Sequence, residues 1–127
     1  MNKILFLVLL VFSLDVTAQD FKRVYCELVG TGKLFSTKVT VTVDFGQENK
    51  GNQHLVDKNG KSINFNSMVD AMNYMGQLGW KFEQAYVVTS GQQNIYHWLL
   101  SKDIKENERI DEGFTTKEKF KEMNKNQ

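Results

Sequence analysis

From Arg23 to Val29, the residues Val24, Cys26 and Leu28 alternate with Arg23, Tyr25 and Glu27. That is the period of two of a half-buried strand, and Gly30-Thr31-Gly32 is expected to break it. A second alternation is clearer. Phe35, Thr37, Val39, Val41, Val43 and Phe45 share one side, and Ser36, Lys38, Thr40, Thr42 and Asp44 share the other. The first set reads as core-facing and the second as wet. Gly46 to Gln53 is polar and aperiodic and reads as a surface loop. Leu55–Asp57 and Lys61–Phe65 then flank Lys58-Asn59-Gly60, so a short hairpin is expected with Asn59 and Gly60 at the centres of a type I′ turn.

Between about Ser67 and Leu78 the period changes. Met68, Ala71, Met72, Met75 and Leu78 fall three and four apart, with Asp70, Asn73 and Gln77 opposite, the stripe of a helix packed on a sheet. Ser67 with Asp70 makes a capping box, and Gly79 supplies the left-handed residue that ends the helix. Trp80–Thr89 and Asn94–Lys102 read as a last hairpin, turned at Ser90-Gly91-Gln92-Gln93 with Gly91 at the first centre of a two-residue loop.

That loop length pairs Val88 with Ile95, Tyr86 with His97 and Gln84 with Leu99 on one face, and Val87 with Tyr96 and Ala85 with Trp98 on the other. Both faces are apolar, yet only one core helix is available to cover them. Phe82, Tyr86, Val88, Ile95 and Leu99 are assigned to the helix side, leaving Val87, Tyr96, Trp98 and Leu100 on the reverse. The C-terminal tail, a second copy of the chain or an outside ligand would have to cover that reverse face, and Tyr96 and Trp98 are the candidate binding residues.

The chain ends bound the rest. Met1-Asn2-Lys3, an apolar run from Ile4 to Phe12 and Val16-Thr17-Ala18 form a secretory signal peptide expected to be cut after Ala18. Its apolar stretch is well short of the roughly 20 residues that span a bilayer, so the mature chain is not expected to cross a membrane. The expected organisation is a signal peptide at 1–18, one α+β domain at 19–102 and a tail at 103–127. Charged residues dominate that tail, which holds too few apolar ones for a second core. Thr115 and Glu118 could cap a short helix within it.

With 16 basic and 15 acidic residues, nothing selects nucleic acid as a partner. Cys26 is the single cysteine and reads as a small apolar filler. No Asn-x-Ser/Thr sequon occurs, and with the short leader this suits a bacterial protein exported to the periplasm, the cell surface or the medium.

The chemical motifs fail one by one. Gly30-Thr31-Gly32-Lys33 lacks the first glycine, the following hydroxyl and the following helix of a phosphate loop. Asp57-Lys58-Asn59-Gly60 starts like a calcium loop but would place Met68 at the bidentate ligand position. His54 and His97 have no neighbours at metal-ligand spacing. No Gly-x-Ser-x-Gly elbow is present, and Cys26 could meet His97 only through the tertiary fold. No catalytic residue, metal or cofactor is therefore assigned.

Met72-Asn73-Tyr74-Met75-Gly76-Gln77-Leu78-Gly79-Trp80-Lys81-Phe82, followed later by Tyr96-His97-Trp98-Leu99-Leu100-Ser101-Lys102, resembles an uncharacterised family of short bacterial domains. In these a helix ends in a Leu-Gly-x-x-Gly-Trp-Glu type turn and two strands follow. Gly76, Gly79 and Trp80 match, Lys81 replaces the usual acidic residue, and the signal peptide, first hairpin and tail depart from the pattern. The resemblance implies an antiparallel sheet with one packed helix and no activity.

The expected fold is thus α+β: an antiparallel sheet of about five to six strands with one core helix on one face and a charged tail able to form a helix. The expected role is a non-catalytic binding or interaction module, as a homodimer or with another exported protein. A small hydrolytic enzyme whose site assembles only in three dimensions, and a structural subunit of an exported assembly, are the alternatives.

Overall fold

The computed structural model describes residues 20–32 and 36–127. The leader, its expected cleavage point at Ala18 and the start of the second alternation at Phe35 lie outside the described residues. The elements run β1 (Phe21–Gly32), β2 (Val39–Asp44), α1 (Met68–Gln77), β3 (Lys81–Ser90), β4 (Gln93–Lys105) and α2 (Lys117–Lys125). The chain is α+β, with one four-stranded antiparallel sheet in the order β2-β1-β4-β3.

The sheet has fewer strands than the five or six expected because the segment between residues 54 and 65 makes only isolated bridges: Thr42 to His54, Leu55 to Thr116, Val56 to Ser62 and Val39 to Phe65. Its turn also differs. The Gly60 amide donates to the Asp57 carbonyl at 2.9 Å, so Lys58 and Asn59 are the turn centres and Gly60 follows at φ +73°, the three-residue form closed by a glycine bulge. The Asp57 carboxylate accepts from the Asn59 and Lys61 amides, a local bond the type I′ reading omits. Gly30-Thr31-Gly32 does not break β1 either. These residues pair with β2 on one side, and Gly30 and Thr31 also pair with β4 on the other, so the ladders outweigh the poor strand propensity of glycine.

Helix α1 forms as its sequence directs. The Ser67 hydroxyl accepts from the Asp70 amide at 3.2 Å, and the Asp70 carboxylate reaches back to the Asn66 amide at 2.9 Å, one residue beyond the usual box. At the other end the Trp80 amide donates to Met75 and the Gly79 amide to Gly76, a Schellman cap that needs the left-handed Gly79 at φ +90°. Trp80 and Met75, brought together by that cap, are both buried.

The core lies between α1 and one face of the sheet. Val24, Cys26 and Leu28 of β1, Val41 and Val43 of β2 and Leu100 and Ile104 of β4 meet Ala71 and Met75 of the helix. Met68 sits over Gly30, where an added Cβ would meet its sulfur. The tail joins this same core. Ile104 is fully buried, and Phe114 is 2% exposed and packs edge-on against Phe45 at 5.8 Å. Backbone bonds from Val56, Lys117 and Glu118 to Thr115, His54 and Asn52 tie the tail to the 52–56 segment. Thr116 rather than Thr115 caps α2, because the Thr115 carbonyl is engaged by Val56.

Candidate functional site

The hairpin pairing read from the loop length is the one the fold adopts: Val88 opposes Ile95, Tyr86 opposes His97, Gln84 opposes Leu99, Val87 opposes Tyr96 and Ala85 opposes Trp98. The assignment of its two faces is inverted. Leu100 opposes Cys26, Trp98 opposes Leu28 and Tyr96 opposes Gly30, and these partners all face α1. Tyr96, Trp98 and Leu100 therefore lie on the helix side, while Tyr86, Val88, Ile95 and Leu99 lie on the reverse. The pairing reaches only across β3 and β4, whereas β1, inserted beside β4, decides which face meets the core. Phe82 alone stays on the helix side as assigned, because an irregularity between Phe82 and Gln84 shifts the alternation by one.

On the helix side, Tyr96 and Trp98 are partly buried against the core. With Val39, Met68 and Val69 they line a groove of about 270 Å³, and Phe82 closes edge-on against Trp98 at 5.3 Å. The structure thus brings the two predicted site residues together, in a hollow smaller than the roughly 300–1,000 Å³ of small-molecule pockets. Beyond the groove lies β3, exposed along all ten of its residues.

On the reverse face the side chains from β1, β4 and β3 form a second cluster. His97 Nδ1 lies 2.9 Å from Glu27 Oε1, the Tyr86 hydroxyl donates to Glu27 Oε2 at 3.4 Å, and the Tyr86 and His97 rings stack at 4.6 Å. Desolvation, with the neighbouring Glu27 carboxylate adding to it, raises the Tyr86 hydroxyl above its ordinary pKa. Tyr25, Val29, Val88, Ile95 and Leu99 share this face. The Arg23–Asp103 fork, with contacts of 2.9 and 3.2 Å, closes one end, and Ser101 donates to Glu83 beside it. Beyond Lys105 the backbone bonds of the tail run to Asn52, His54 and Val56, and Phe114 enters the core, so among the described residues this part of the tail packs away from the sheet's reverse.

This face can place a base beside a carboxylate, but it holds no activated nucleophile. Cys26 points to the opposite face, is 2% exposed, and burial pushes its thiol up to about 12. Cys26 is thus a buried thiol on the far side of the sheet from His97, and the two do not form a nucleophile–base pair. Ser101 shares the face, but four residues along β4 place it about 13 Å from His97. Among the described residues, no three His, Cys, Asp or Glu side chains converge to hold a metal ion.

The Tyr86–His97 pair was legible from the loop length. Glu27, the residue that joins them, was not, because no local signal places β1 beside β4. No helix among the described residues is long and apolar enough to cross a membrane. No family model matches the chain, no curated protein is detectably similar to it, and no solved structure matches its fold.

Proposed function

We propose that this chain is an exported, non-catalytic interaction module that binds another polypeptide through the β3–β4 side of its sheet. The observation that carries the reading is the state of β3: Phe82, Tyr86, Val87 and Val88 are 49%, 47%, 52% and 45% exposed on a strand no other described segment covers. Apolar residues concentrated on one open strand mark an interaction surface more often than chance exposure. The leader at 1–18 supports export from a bacterial cell, and Tyr96 and Trp98, at the base of the groove beside β3, are the binding residues proposed.

The His97–Glu27 pair favours a second reading, a small hydrolase using His97 as base. A photo-crosslinking residue at Val87, with one at the exposed Met123 of α2 as control, separates the two. The module reading expects a discrete polypeptide adduct at position 87 only, competed away by unlabelled protein. Ester hydrolysis that disappears in His97→Ala, with no adduct at position 87, overturns it.

A further inference from the structure

We infer that the first partner of β3 is a second copy of this chain, and that two copies pair antiparallel along β3 to make one continuous eight-stranded sheet. This rests on the interaction reading above and names the partner. The sheet has two edges, and only one is open. The outer edge of β2 is already used by its own chain: the Val43 amide donates to Gln53, the Leu55 amide to Val41, and Val39 and Phe65 exchange both backbone bonds. β3 is the other edge.

The backbone of β3 has a free side by geometry. In a hairpin closed by two residues, the flanking pair exchanges both of its backbone bonds. Here that pair is Ser90 and Gln93. Alternate residues Ser90, Val88, Tyr86 and Gln84 then turn their N–H and C=O groups toward β4, and Thr89, Val87 and Ala85 turn theirs outward. Those outward groups form a ladder template about 20 Å long between Gln84 and Ser90.

Natural edge strands are protected by charge, proline or a bulge. β3 has its irregularity and its charges, Lys81 and Glu83, at one end only. From Gln84 to Ser90 there is no charge, proline or glycine, and three consecutive residues, Tyr86, Val87 and Val88, are large and exposed. Such a segment is self-complementary. With Val87 at the two-fold axis, no like charges meet across the pair, Val87 opposes its own copy on one face and Tyr86 opposes Val88 on the other, as an isologous contact requires. A foreign strand would also fit the hydrogen bonds, but this pattern gives it no charge to recognise.

Pairing also completes the groove. With Met68 over β1 and five strand spacings from β1 to its copy, the two α1 helices stand about 24 Å apart at the Gly30 end. Tyr96, Trp98 and Val87 of both copies then floor a single trough, of which one copy supplies half.

Sedimentation equilibrium of the purified protein tests this, with its chain mass fixed by mass spectrometry of the same sample. The expected mass is twice that of the chain, falling to one chain in Val87→Lys with an unchanged circular dichroism spectrum. Oxidation with diamide should give a disulfide-linked dimer in Val87→Cys and none in Met123→Cys, an exposed position on α2, and this arm decides the matter if the lysine variant fails to fold. A protein that stays monomeric at every concentration, or a dimer that survives Val87→Lys with no cross-link at position 87, overturns the inference. If a foreign polypeptide is still cross-linked from position 87 in a monomeric protein, the interaction reading stands and only the identity of the partner fails. If neither a dimer nor an adduct forms, both fail.

Discussion

The rings of Tyr86 and His97 lie parallel, 3° apart in tilt and 4.6 Å between centroids, on the side of the sheet away from α1. Trp98, next to His97 in the chain, points the opposite way and packs against the core and Phe82. Neighbours on one strand thus carry opposite burdens.

Truncation should separate them. Trp98→Ala removes a large half-buried ring and is expected to cost about 3 kcal/mol. Tyr86→Ala removes an exposed ring whose hydrogen bond to Glu27 is long, and should cost no more than about 1 kcal/mol. Urea unfolding of both variants at equal dilution measures the contrast. Equal losses would mean that the reverse face is a covered core.

Trp80 is 2% exposed, and its indole nitrogen has no hydrogen-bond partner among the described residues. Trp80→Phe keeps most of the apolar ring and loses no hydrogen bond, so it should cost about 1 kcal/mol, against roughly 3–5 kcal/mol for Trp80→Ala. A phenylalanine variant as damaged as the alanine one would show that the indole N–H is satisfied in solution.

Asp111 anchors the tail. Arg109 grips its carboxylate at 2.9 and 3.0 Å, and Lys119 Nζ lies 3.0 Å away. The Arg109 hydrogen bond is the main cause that lowers its pKa from the ordinary 3.8 to about 2, with Lys119 adding to it and burial opposing. The charged form belongs to the folded state. Its contribution, on the order of 1 kcal/mol once solvent screening at the exposed Arg109 is allowed for, is therefore complete above about pH 4 and is lost as the pH falls through about 2. Thermal unfolding of the protein and of Asp111→Asn across that range should show a stability gap that closes with acid. The variant removes the group, so losses from other carboxylates cancel in the difference. A gap constant with pH would refute the assignment.

Much of this fold was legible locally because its signals are local. The three- and four-residue spacing of Met68, Ala71 and Met75, the hydroxyl of Ser67 and the left-handed Gly79 specify α1 and both its ends through bonds spanning only a few residues. The alternation from Val39 to Val43 and the two-residue loop at Gly91 and Gln92 specify two strands and a register, since loop length and a period of two leave little choice.

The sequence by itself thus determined the helix, the hairpin register and the α+β class. Tertiary structure decided what depends on distant partners. The period of two states which residues share a face, but not which face is covered; β1, some seventy residues away, settled that by pairing beside β4. The same insertion brought Glu27 to Tyr86 and His97 and sent Cys26 to the other side. Ile104 entered the core because β4 runs on to Lys105 and keeps its period of two with Leu100, whereas Phe114 did so by packing against Phe45, a demand with no local signature in a charged tail. β3 was left as the open edge because β2, and not β3, received the backbone bonds of the 53–65 segment.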